Sequence, residues 1–399
     1  MIPRTVYLHL QHLYKKPDIL ALVGSRRVGK TTLMEMLYAD ESKKKVFLSF
    51  DDQKTLRLFE DDIDVFAKVH VVPNDVIFID EFQYAKSGGQ LLKYLYDTFK
   101  KKIVISGSST PELTINSLSY LVGRVFVVPI YPLSFDEFLG YKDSSLVSVL
   151  KGKMSSSTHE LIQPHFEEYV LYGGYPQVVL EDSLEDKKER LNQIVNTYLL
   201  KEIRDILQYK DSGLFYKLLK TLALESGGML NKHTISSVLD ISFVKLNEML
   251  DVLEKTFVIQ KLHPYTNKKV KELVKSPKFY VADNGFRNML LDDFRPLSQR
   301  VDKGVLYENF LLQSLRDESL LFYNYKNSSE VDFLIEKPEG LIAIEAKSYL
   351  PKPKLSRGLH EFISKYSPIK VIVFNESIFE IAEVNGVLVD FKHYVSRLN

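Results

Sequence analysis

The stretch DILALVGSRRVGKTTLMEMLY, residues 18–38, constrains the fold more than any other part of the chain. The apolar run 19–23 predicts a buried strand, and the apolar spacing after residue 30 predicts a helix. Between them, residues 24–31 fit the pattern G-x-x-x-x-G-K-[ST]. A glycine-rich turn at a helix N-terminus presents backbone N–H groups to phosphate oxygens. The stretch therefore predicts an α/β domain that binds a nucleoside triphosphate.

The residues of this loop have separate expected roles. Lys30 would neutralise the β- and γ-phosphates of ATP, and the hydroxyl of Thr31 would ligate Mg²⁺. The other loop residues expected to line the nucleotide are Gly24, Ser25, Arg26, Arg27, Val28, Gly29 and Thr32. The alternative is a glycine-rich turn without a ligand, but the strand before it and the helix after it favour the nucleotide.

Two later strand ends would complete this site. The buried run DVIFIDEFQ ends in Asp80 and Glu81, and KKIVISGSST ends in small polar residues. Because parallel strands end at one edge of a sheet, Asp80 is expected to serve the metal and Glu81 to act as general base. Ser106 or Ser108 would contact the γ-phosphate or the attacking water, and a plain turn is the alternative for both serines.

A single arginine follows in SYLVGRVFVV, just before another strand. Arg124 would stabilise the charge that develops on the transferred phosphoryl group. The alternative is an ordinary surface arginine.

Taken together, these motifs resemble a known family. The phosphate loop, IDEFQ, SGSS, VGR followed by YPLSFDEFL, and YGGYPQVV are similar to the STAND-related AAA+ ATPases of archaea and many bacteria. The resemblance covers almost the whole chain. It implies ATP and Mg²⁺ as cofactors, and a C-terminal part with a winged helix and a restriction-endonuclease-like region. Gly173, Gly174 and Pro176 predict a tight turn in a helical lid.

The region from about residue 215 to 278 predicts three helices followed by two strands, which is the order of a winged helix. Ser242 is the expected N-cap of the third helix. The residues expected to face DNA are Lys245, Asn247 and Glu248 on that helix, and Lys268, Lys269, Lys271 and Lys275 in the wing. Winged helices also join domains or bind proteins, and acidic residues on the third helix would repel phosphates. Nucleic-acid contact here stays open.

The C-terminal stretch SSEVDFLIEKPEGLIAIEAKSY predicts a hairpin whose strands alternate apolar and charged residues. Strict alternation places Glu330, Asp332 and Leu334 on one face, Val331, Phe333 and Ile335 on the other, and Leu341, Ala343, Glu345 and Lys347 together on the next strand. Asp332, Glu345 and Lys347 would then converge across adjacent strands.

Two carboxylates and a lysine on strand middles form the arrangement of PD-(D/E)xK nucleases. There the carboxylates hold Mg²⁺ and the lysine orients or activates water. Glu308, on an upstream helix pattern, matches the helix glutamate of many such enzymes. We therefore expect Glu308, Asp332 and Glu345 as metal ligands and Lys347 as a catalytic residue. The alternative is a buried ion pair between Lys347 and one acid.

Composition sets the outer limits. With 53 Lys+Arg against 52 Asp+Glu, the net charge is +1, so any nucleic-acid site must be a local patch. The chain has no cysteine, which excludes disulfides and thiol chemistry and suits a reducing cytoplasm. A membrane span is not expected, because no apolar run is long enough. We expect four α/β or helical units: an ATPase domain (1–131), a lid (132–205), a winged helix (206–285) and a nuclease-like domain (286–399).

Two functions are compatible with this organisation. In the first, ATP hydrolysis drives action on nucleic acid, DNA being the expected partner, with a nuclease-like C-terminal domain whose activity is left open. In the second, ATP binding is a regulatory switch that recruits a protein partner or regulates a promoter, and the winged helix and nuclease-like domain are scaffolds.

Overall fold

The computed structural model describes residues 2–108, 118–148, 150, 156–197, 212–265, 276–316, 318, 321–326, 329–396 and 398. Within these ranges the strands form three sheets, and helices pack against them. The predicted mixed α/β fold with a parallel sheet is confirmed. Across the same ranges, no helix is both long enough and apolar enough to cross a membrane.

The front part is built on a parallel sheet. Its elements are α1 Val6–Tyr14, β1 Ile19–Gly24, α2 Lys30–Asp40, β2 Lys45–Ser49, α3 Gln53–Asp61, α4 Ile63–Phe66, β3 Val76–Asp80, α5 Gly88–Phe99, β4 Lys102–Ser108 and β5 Val125–Pro129. The strand order is β2-β3-β4-β1-β5, and all neighbours are parallel. β1 and β3 are buried at every position, as expected for parallel strands covered on both faces.

A helical middle follows. Its elements are α6 Phe135–Lys142, α7 Ser144–Val147, α8 Ser156–Tyr172, α9 Pro176–Val179, α10 Leu184–Thr197, α11 Ser212–Leu224, α12 Lys232–Leu239, α13 Phe243–Lys255, β6 Ile259–Leu262 and β7 Lys278–Val281. Helices α11–α13 and the antiparallel pair β6–β7 appear in the predicted order. The Ser242 hydroxyl accepts from Lys245 N at 3.2 Å, which confirms the predicted N-cap. The predicted wing residues Lys268, Lys269, Lys271 and Lys275 lie outside the described residues.

The C-terminal part is built on a six-stranded mixed sheet. Its elements are α14 Asn284–Leu291, α15 Lys303–Ser314, β8 Leu321–Lys326, β9 Ser329–Lys337, β10 Gly340–Ala346, α16 Arg357–Tyr366, β11 Lys370–Asn375, β12 Ile381–Val384 and β13 Val387–His393. The order is β12-β13-β11-β10-β9-β8. The predicted β9–β10 hairpin is confirmed, with Gly340 paired to Lys337. The predicted boundary at 285/286 is wrong, because it falls inside α14, which Asp283 caps through Phe286 N at 2.9 Å.

The YGGYP segment joins these parts. Gly174 N donates to Asp283 Oδ2 at 2.8 Å, and Leu133 N donates to Gly174 O at 2.7 Å. A Cβ on Gly174 would lie 2.2 Å from Leu133 O, so only glycine allows this approach. Gly173, at φ +75°, makes the predicted tight turn. Gly174 therefore links Leu133, which lies before α6, to Asp283, the N-cap of α14.

Candidate functional sites

The phosphate loop lies between β1 and α2 at the carboxyl edge of the parallel sheet. Gly29, at φ 95°, precedes α2 and, as a glycine, offers no side chain to cap this helix. The N-terminus of the helix, which favours an anion, therefore begins directly after the loop. Lys30 is only 6% exposed, and its Nζ donates to the carbonyl oxygens of Gly24 at 2.9 Å and Ser25 at 2.8 Å. The ammonium thus lies over the loop that would hold the phosphates.

The carboxylate at the end of β3 faces this loop. Thr31 Oγ1 donates to Asp80 Oδ2 at 2.8 Å. Asp80, which is buried, also accepts from the Ser106 hydroxyl and from Glu81 N at 3.0 Å. A hydroxyl and a carboxylate in contact beside a phosphate loop are the oxygen donors that Mg²⁺ prefers with a nucleotide. The residues present therefore fit Mg·ATP.

Glu81 is linked to the end of β4 by a series of hydrogen bonds. It adopts a left-handed backbone, φ 55°, which is uncommon for a non-glycine residue. Gln83 Nε2 donates to Glu81 Oε2, and Gln83 Oε1 accepts from Ser108 N at 3.2 Å. The Ser108 hydroxyl is buried and finds no partner among the described residues. Sequence reasoning did not assign Gln83 to the site, although it follows Glu81 by only two residues.

Two arginines of the loop contact side chains outside it, and a third arginine, Arg190, pairs with Glu181. Arg27 donates to Gln177 Oε1 on α9 at 3.0 Å, and Arg26 donates to Tyr84 OH at 3.0 Å. Burial and the positive charges of Arg190, on α10, and Arg26 lower the pKa of Arg27. A small cavity between loop and lid is lined by Ser25, Arg26, Arg27, Tyr175, Ile194, Thr197 and Phe286. Sequence reasoning missed Arg190, because its approach to the loop depends on how the lid packs.

Two further loop residues contribute differently. The carbonyl oxygen of Val28 accepts from Arg4 Nη1 at 2.8 Å, which links the loop to the segment that precedes α1. Thr32 is exposed on the first turn of α2.

Arg124 does not reach this site. It precedes β5, and its carbonyl accepts from Ile19 N at 2.8 Å, at the start of β1. Its Nε pairs with Asp97 Oδ1 at 2.9 Å. The phosphate loop begins at the other end of β1, about 17 Å away for a six-residue strand. The prediction that Arg124 stabilises the phosphoryl group of its own chain is therefore wrong.

The C-terminal hairpin carries a β-bulge. Leu334 pairs with Phe322, and Val331 with Asn324, so Asp332 and Phe333 together oppose one residue of β8. Val331 packs with Leu334 under α16, whereas Phe333 packs in the core beside α15. The predicted shared face of Val331, Phe333 and Ile335 is therefore wrong, because the surplus residue interrupts the alternation.

The bulge turns two acids of β9 toward α15. Carboxylate oxygens of Glu308, Glu330 and Asp332 lie within 4.8 Å of one another, close enough to hold one metal ion. Lys278, from β7, is placed among them: its Nζ lies 2.6 Å from Glu308 Oε1 and pairs with Glu330. The Tyr280 hydroxyl also donates to Glu308. Sequence reasoning placed Glu330 on the face of Asp332 but did not assign it to the site. It missed Lys278 and Tyr280, which lie on β7, 30 and 28 residues before Glu308.

Burial and mutual charge shift the pKa values in this cluster. Burial, with the negative charge of Asp332, raises the pKa of Glu308 to about 7. Burial alone would lower the pKa of Lys278, but the charges of Glu308, Asp332 and Glu330 outweigh it, so that pKa is raised. Lys278 is therefore held as a cation among the carboxylates.

Glu345 and Lys347 lie where β9 and β10 separate. The last paired residues are Ile344 and Phe333, and Asp332 Oδ2 then accepts from Ala346 N at 2.8 Å. Glu345 is buried, forms an ion pair with Lys347 and accepts from Ser356 Oγ at 2.9 Å. Burial and Asp332 raise the pKa of Glu345. The charges of Glu345, Asp332 and Glu308 raise the pKa of Lys347 against the effect of burial. The structure thus places Asp332 with Glu308 and Glu330, and Glu345 with Lys347. The predicted ligand Glu345 is not one of the three carboxylates that lie within 4.8 Å of one another.

The face expected to contact DNA is not uniformly basic. Lys245 and Asn247 are half-buried on α13, Glu248 is exposed, and Asn247 Oδ1 accepts from Lys232 Nζ at 2.6 Å. Large apolar side chains are exposed at the turn between α12 and α13: Val238 (68%), Phe243 (42%) and Val244 (68%).

Three family models match parts of the chain, each covering less than half of it. Residues 16–139 match the AAA domain, a segment that contains the phosphate loop and the acidic strand end. Residues 163–296 match a domain of unknown function (DUF8612), and residues 303–394 match a domain of unknown function (DUF4143).

The chain is similar over most of its length to proteins whose function is not described. An uncharacterized protein of Haemophilus influenzae is 26% identical, covering 97% of this chain and 96% of the relative. An uncharacterized protein of Methanocaldococcus jannaschii is 24% identical, with coverages of 88% and 77%. Among solved structures, the Walker-type ATPase of Pyrococcus abyssi is 16% identical with a TM-score of 0.47, covering 73% of this chain and 96% of that one. The AAA match over residues 16–139 supports an AAA+ ATPase family for the front part.

Proposed function

We propose that this protein binds ATP with Mg²⁺, hydrolyses it, and uses the cycle to act on nucleic acid through a nuclease-like C-terminal domain. The ATPase proposal rests on the contact of Thr31 Oγ1 with Asp80 Oδ2 at 2.8 Å. Beside this contact, the buried Lys30 bonds to the phosphate loop. Nucleotide phosphates would take the place of the two carbonyl oxygens that Lys30 now contacts.

The chain's own residues would divide the work as follows. Lys30 and the N–H groups of the first turn of α2 would bind the phosphates, and Thr31 and Asp80 would hold the metal, which supplies charge stabilisation when bound. Glu81 accepts a proton from water, and its carboxylate is oriented by Gln83. Arg27 leaves Gln177 when a nucleotide arrives, which would couple the loop to the lid.

For the C-terminal part, we propose a winged helix at α11–β7 followed by a restriction-endonuclease-like domain. The nuclease-like assignment is supported by Asp332, Glu345 and Lys347 where β9 and β10 separate, with Glu308 of α15 close to Asp332. The carboxylates would hold Mg²⁺ beside a scissile phosphate, and Lys347 would orient water. We propose DNA as the substrate.

The test uses purified full-length protein with single- and double-stranded DNA and RNA, with Mg²⁺ or Mn²⁺, and with or without ATP. Lys30→Ala and Asp332→Ala run beside wild type. Cleavage that disappears in Asp332→Ala while DNA binding is retained would establish the nuclease, and loss in Lys30→Ala would show ATP gating. ATP hydrolysis without cleavage by wild type under any condition would overturn the nuclease part.

A second candidate is a nucleotide-dependent switch. The exposed apolar residues Val238, Phe243 and Val244 favour a protein partner over a phosphate backbone at α12–α13. In this case the nuclease-like domain is a scaffold. Charged substitutions at Val238 and Val244 would abolish partner recruitment and leave DNA affinity unchanged, whereas a loss of DNA affinity would favour the first function.

A further inference from the structure

Lys278 has no role in the proposed reaction, yet its ammonium lies within the carboxylate group assigned to the metal. It contacts Glu308 Oε1 at 2.6 Å and pairs with Glu330, while its own side chain is only 4% exposed. It belongs to β7, and so to the unit that precedes the nuclease-like domain. One charged group of a neighbouring unit therefore penetrates the candidate metal site.

The charges explain why this group is present. Three carboxylates within 4.8 Å of one another repel when ionised, and a buried cation offsets that repulsion. A divalent cation would offset it more completely, because it carries two charges and prefers carboxylate oxygens. The ammonium of Lys278 and a metal ion would therefore compete for the same oxygens of Glu308 and Glu330.

We propose that Lys278 is a tethered cation that occupies the metal position and closes the nuclease-like site until β7 moves. This inference rests on the proposed function for its assignment of Glu308 and Asp332 as ligands, and it adds the regulation of that site. A divalent cation and β7 then become alternatives: the metal binds as Lys278 withdraws.

The surroundings of Lys278 link its withdrawal to a backbone movement. The rings of Tyr280 and Tyr323 flank the ammonium, each with its centre 5.8 Å from Nζ. The Tyr280 hydroxyl donates to the same Glu308 carboxylate, and the Tyr323 hydroxyl donates to Ser276 O at 2.6 Å, just before β7. The side chain is thus enclosed by β7 itself and by β8, so it leaves only when their contact opens.

The first test measures Mn²⁺ binding to the full chain without nucleotide, by electron paramagnetic resonance of the free ion. Lys278→Met should bind Mn²⁺ at least about tenfold more tightly than wild type, because a competing charge has been removed. Mn²⁺ should also raise the unfolding temperature of Lys278→Met more than that of wild type. Both gains should vanish in Lys278→Met/Asp332→Ala, which keeps the phosphate loop and so isolates the C-terminal site.

Lys261→Met is the matched control. Lys261 lies on β6 of the same hairpin and pairs with Glu254, away from the carboxylate group, with a largely buried side chain. Its loss should leave Mn²⁺ affinity within twofold of wild type.

A second measurement needs no variant and decides the question where Lys278→Met is too unstable to purify. Saturating Mn²⁺ should speed hydrogen exchange of the β7 amides in wild type, because the metal and the docked strand exclude each other. Equal Mn²⁺ affinity of wild type and Lys278→Met, with unchanged exchange in β7, would overturn the inference and leave the nuclease proposal standing. Absence of Mn²⁺ binding to both proteins would overturn it together with the proposed metal site. Absence of cleavage alone would count only against the proposed function.

Discussion

The phosphate loop and the C-terminal carboxylate group each hold a buried lysine, and they hold it in opposite ways. Lys30 donates to two neutral carbonyl oxygens, whereas Lys278 is paired with two carboxylates. An ammonium leaves a neutral acceptor for a phosphate at little cost, but leaving a buried ion pair exposes uncompensated charge. The front site is therefore ready for its ligand, and the rear site is closed by the chain itself.

The largest expected effect tests this contrast through stability. Without metal, Lys278→Met should lower the free energy of unfolding by about 3 kcal/mol, since it leaves two partly buried carboxylates without the cation that they pair with. Lys30→Met should lower it by only about 1 kcal/mol. Urea unfolding followed by far-ultraviolet circular dichroism measures both. Equal losses would remove the distinction between the two lysines.

The next effect concerns catalysis at the front site. Lys30→Ala should reduce the rate of ATP hydrolysis by at least about 100-fold, because the phosphates lose their buried counter-charge. Lys54→Ala, at an exposed position of α3, is the control and should keep the wild-type rate. A Lys30→Ala protein that still hydrolyses ATP would show that the loop is not the catalytic site.

A third prediction tests whether the hydrogen bond between Gly174 and Asp283 holds the two regions together. Asp283→Ala removes the buried acceptor of Gly174 N and Phe286 N, and should cost about 2 kcal/mol of unfolding free energy. Asp52→Ala removes an exposed N-cap of α3 and should cost less than Asp283→Ala. If the two variants are equally stable, the Gly174–Asp283 contact does not hold the regions together.

A fourth prediction uses pH to test a contact between α8 and β13. His159 on α8 and His393 on β13 face each other with Nε2 atoms 2.6 Å apart. Burial lowers both pKa values, that of His393 further through the charge of His159, while Glu376 and Glu160 partly oppose the shift of His159.

The sign of the pH effect follows from proton uptake. Below the ordinary histidine pKa of 6.5 the unfolded chain binds protons that the folded chain refuses, so stability falls as the pH drops. Between pH 7.5 and 5.5, His393→Phe should lose about 1 kcal/mol less than wild type. Thermal unfolding at both pH values measures this, with His12→Gln, an exposed position, as control. Identical pH slopes would contradict it.

The smallest expected effect tests whether all residues of the front site come from one chain. Arg124→Ala should change the ATPase rate less than about twofold, because the side chain lies at the far edge of the sheet. Rates at two protein concentrations are compared. A tenfold loss that appears only at high concentration would mean that Arg124 reaches the phosphates of a neighbouring chain.

The two regions also differ in how far the sequence predicts them. Lys30 and Thr31 are consecutive, and Asp80 follows from the rule that parallel strands end at one edge, so their contact was foreseeable. Arg124 was misplaced because a residue before a parallel strand lies at the opposite edge. The bulge at Asp332 was invisible because one surplus residue leaves the apolar pattern unchanged. Lys278 was missed because its partners Glu308 and Glu330 lie 30 and more residues further along the chain.

The Gly174–Asp283 hydrogen bond can form during synthesis only after both residues have been made. Its two partners are 109 residues apart, which at about 5–20 residues per second corresponds to about 5–20 s of synthesis on a ribosome. The strands and the phosphate loop of the front sheet are synthesised before Gly174. The turn at Gly174, which packs against them, has no acceptor for its N–H group until Asp283 has been synthesised. All residues of the phosphate loop and the acidic strand end are thus present on the nascent chain before the acceptor of Gly174 N has been made.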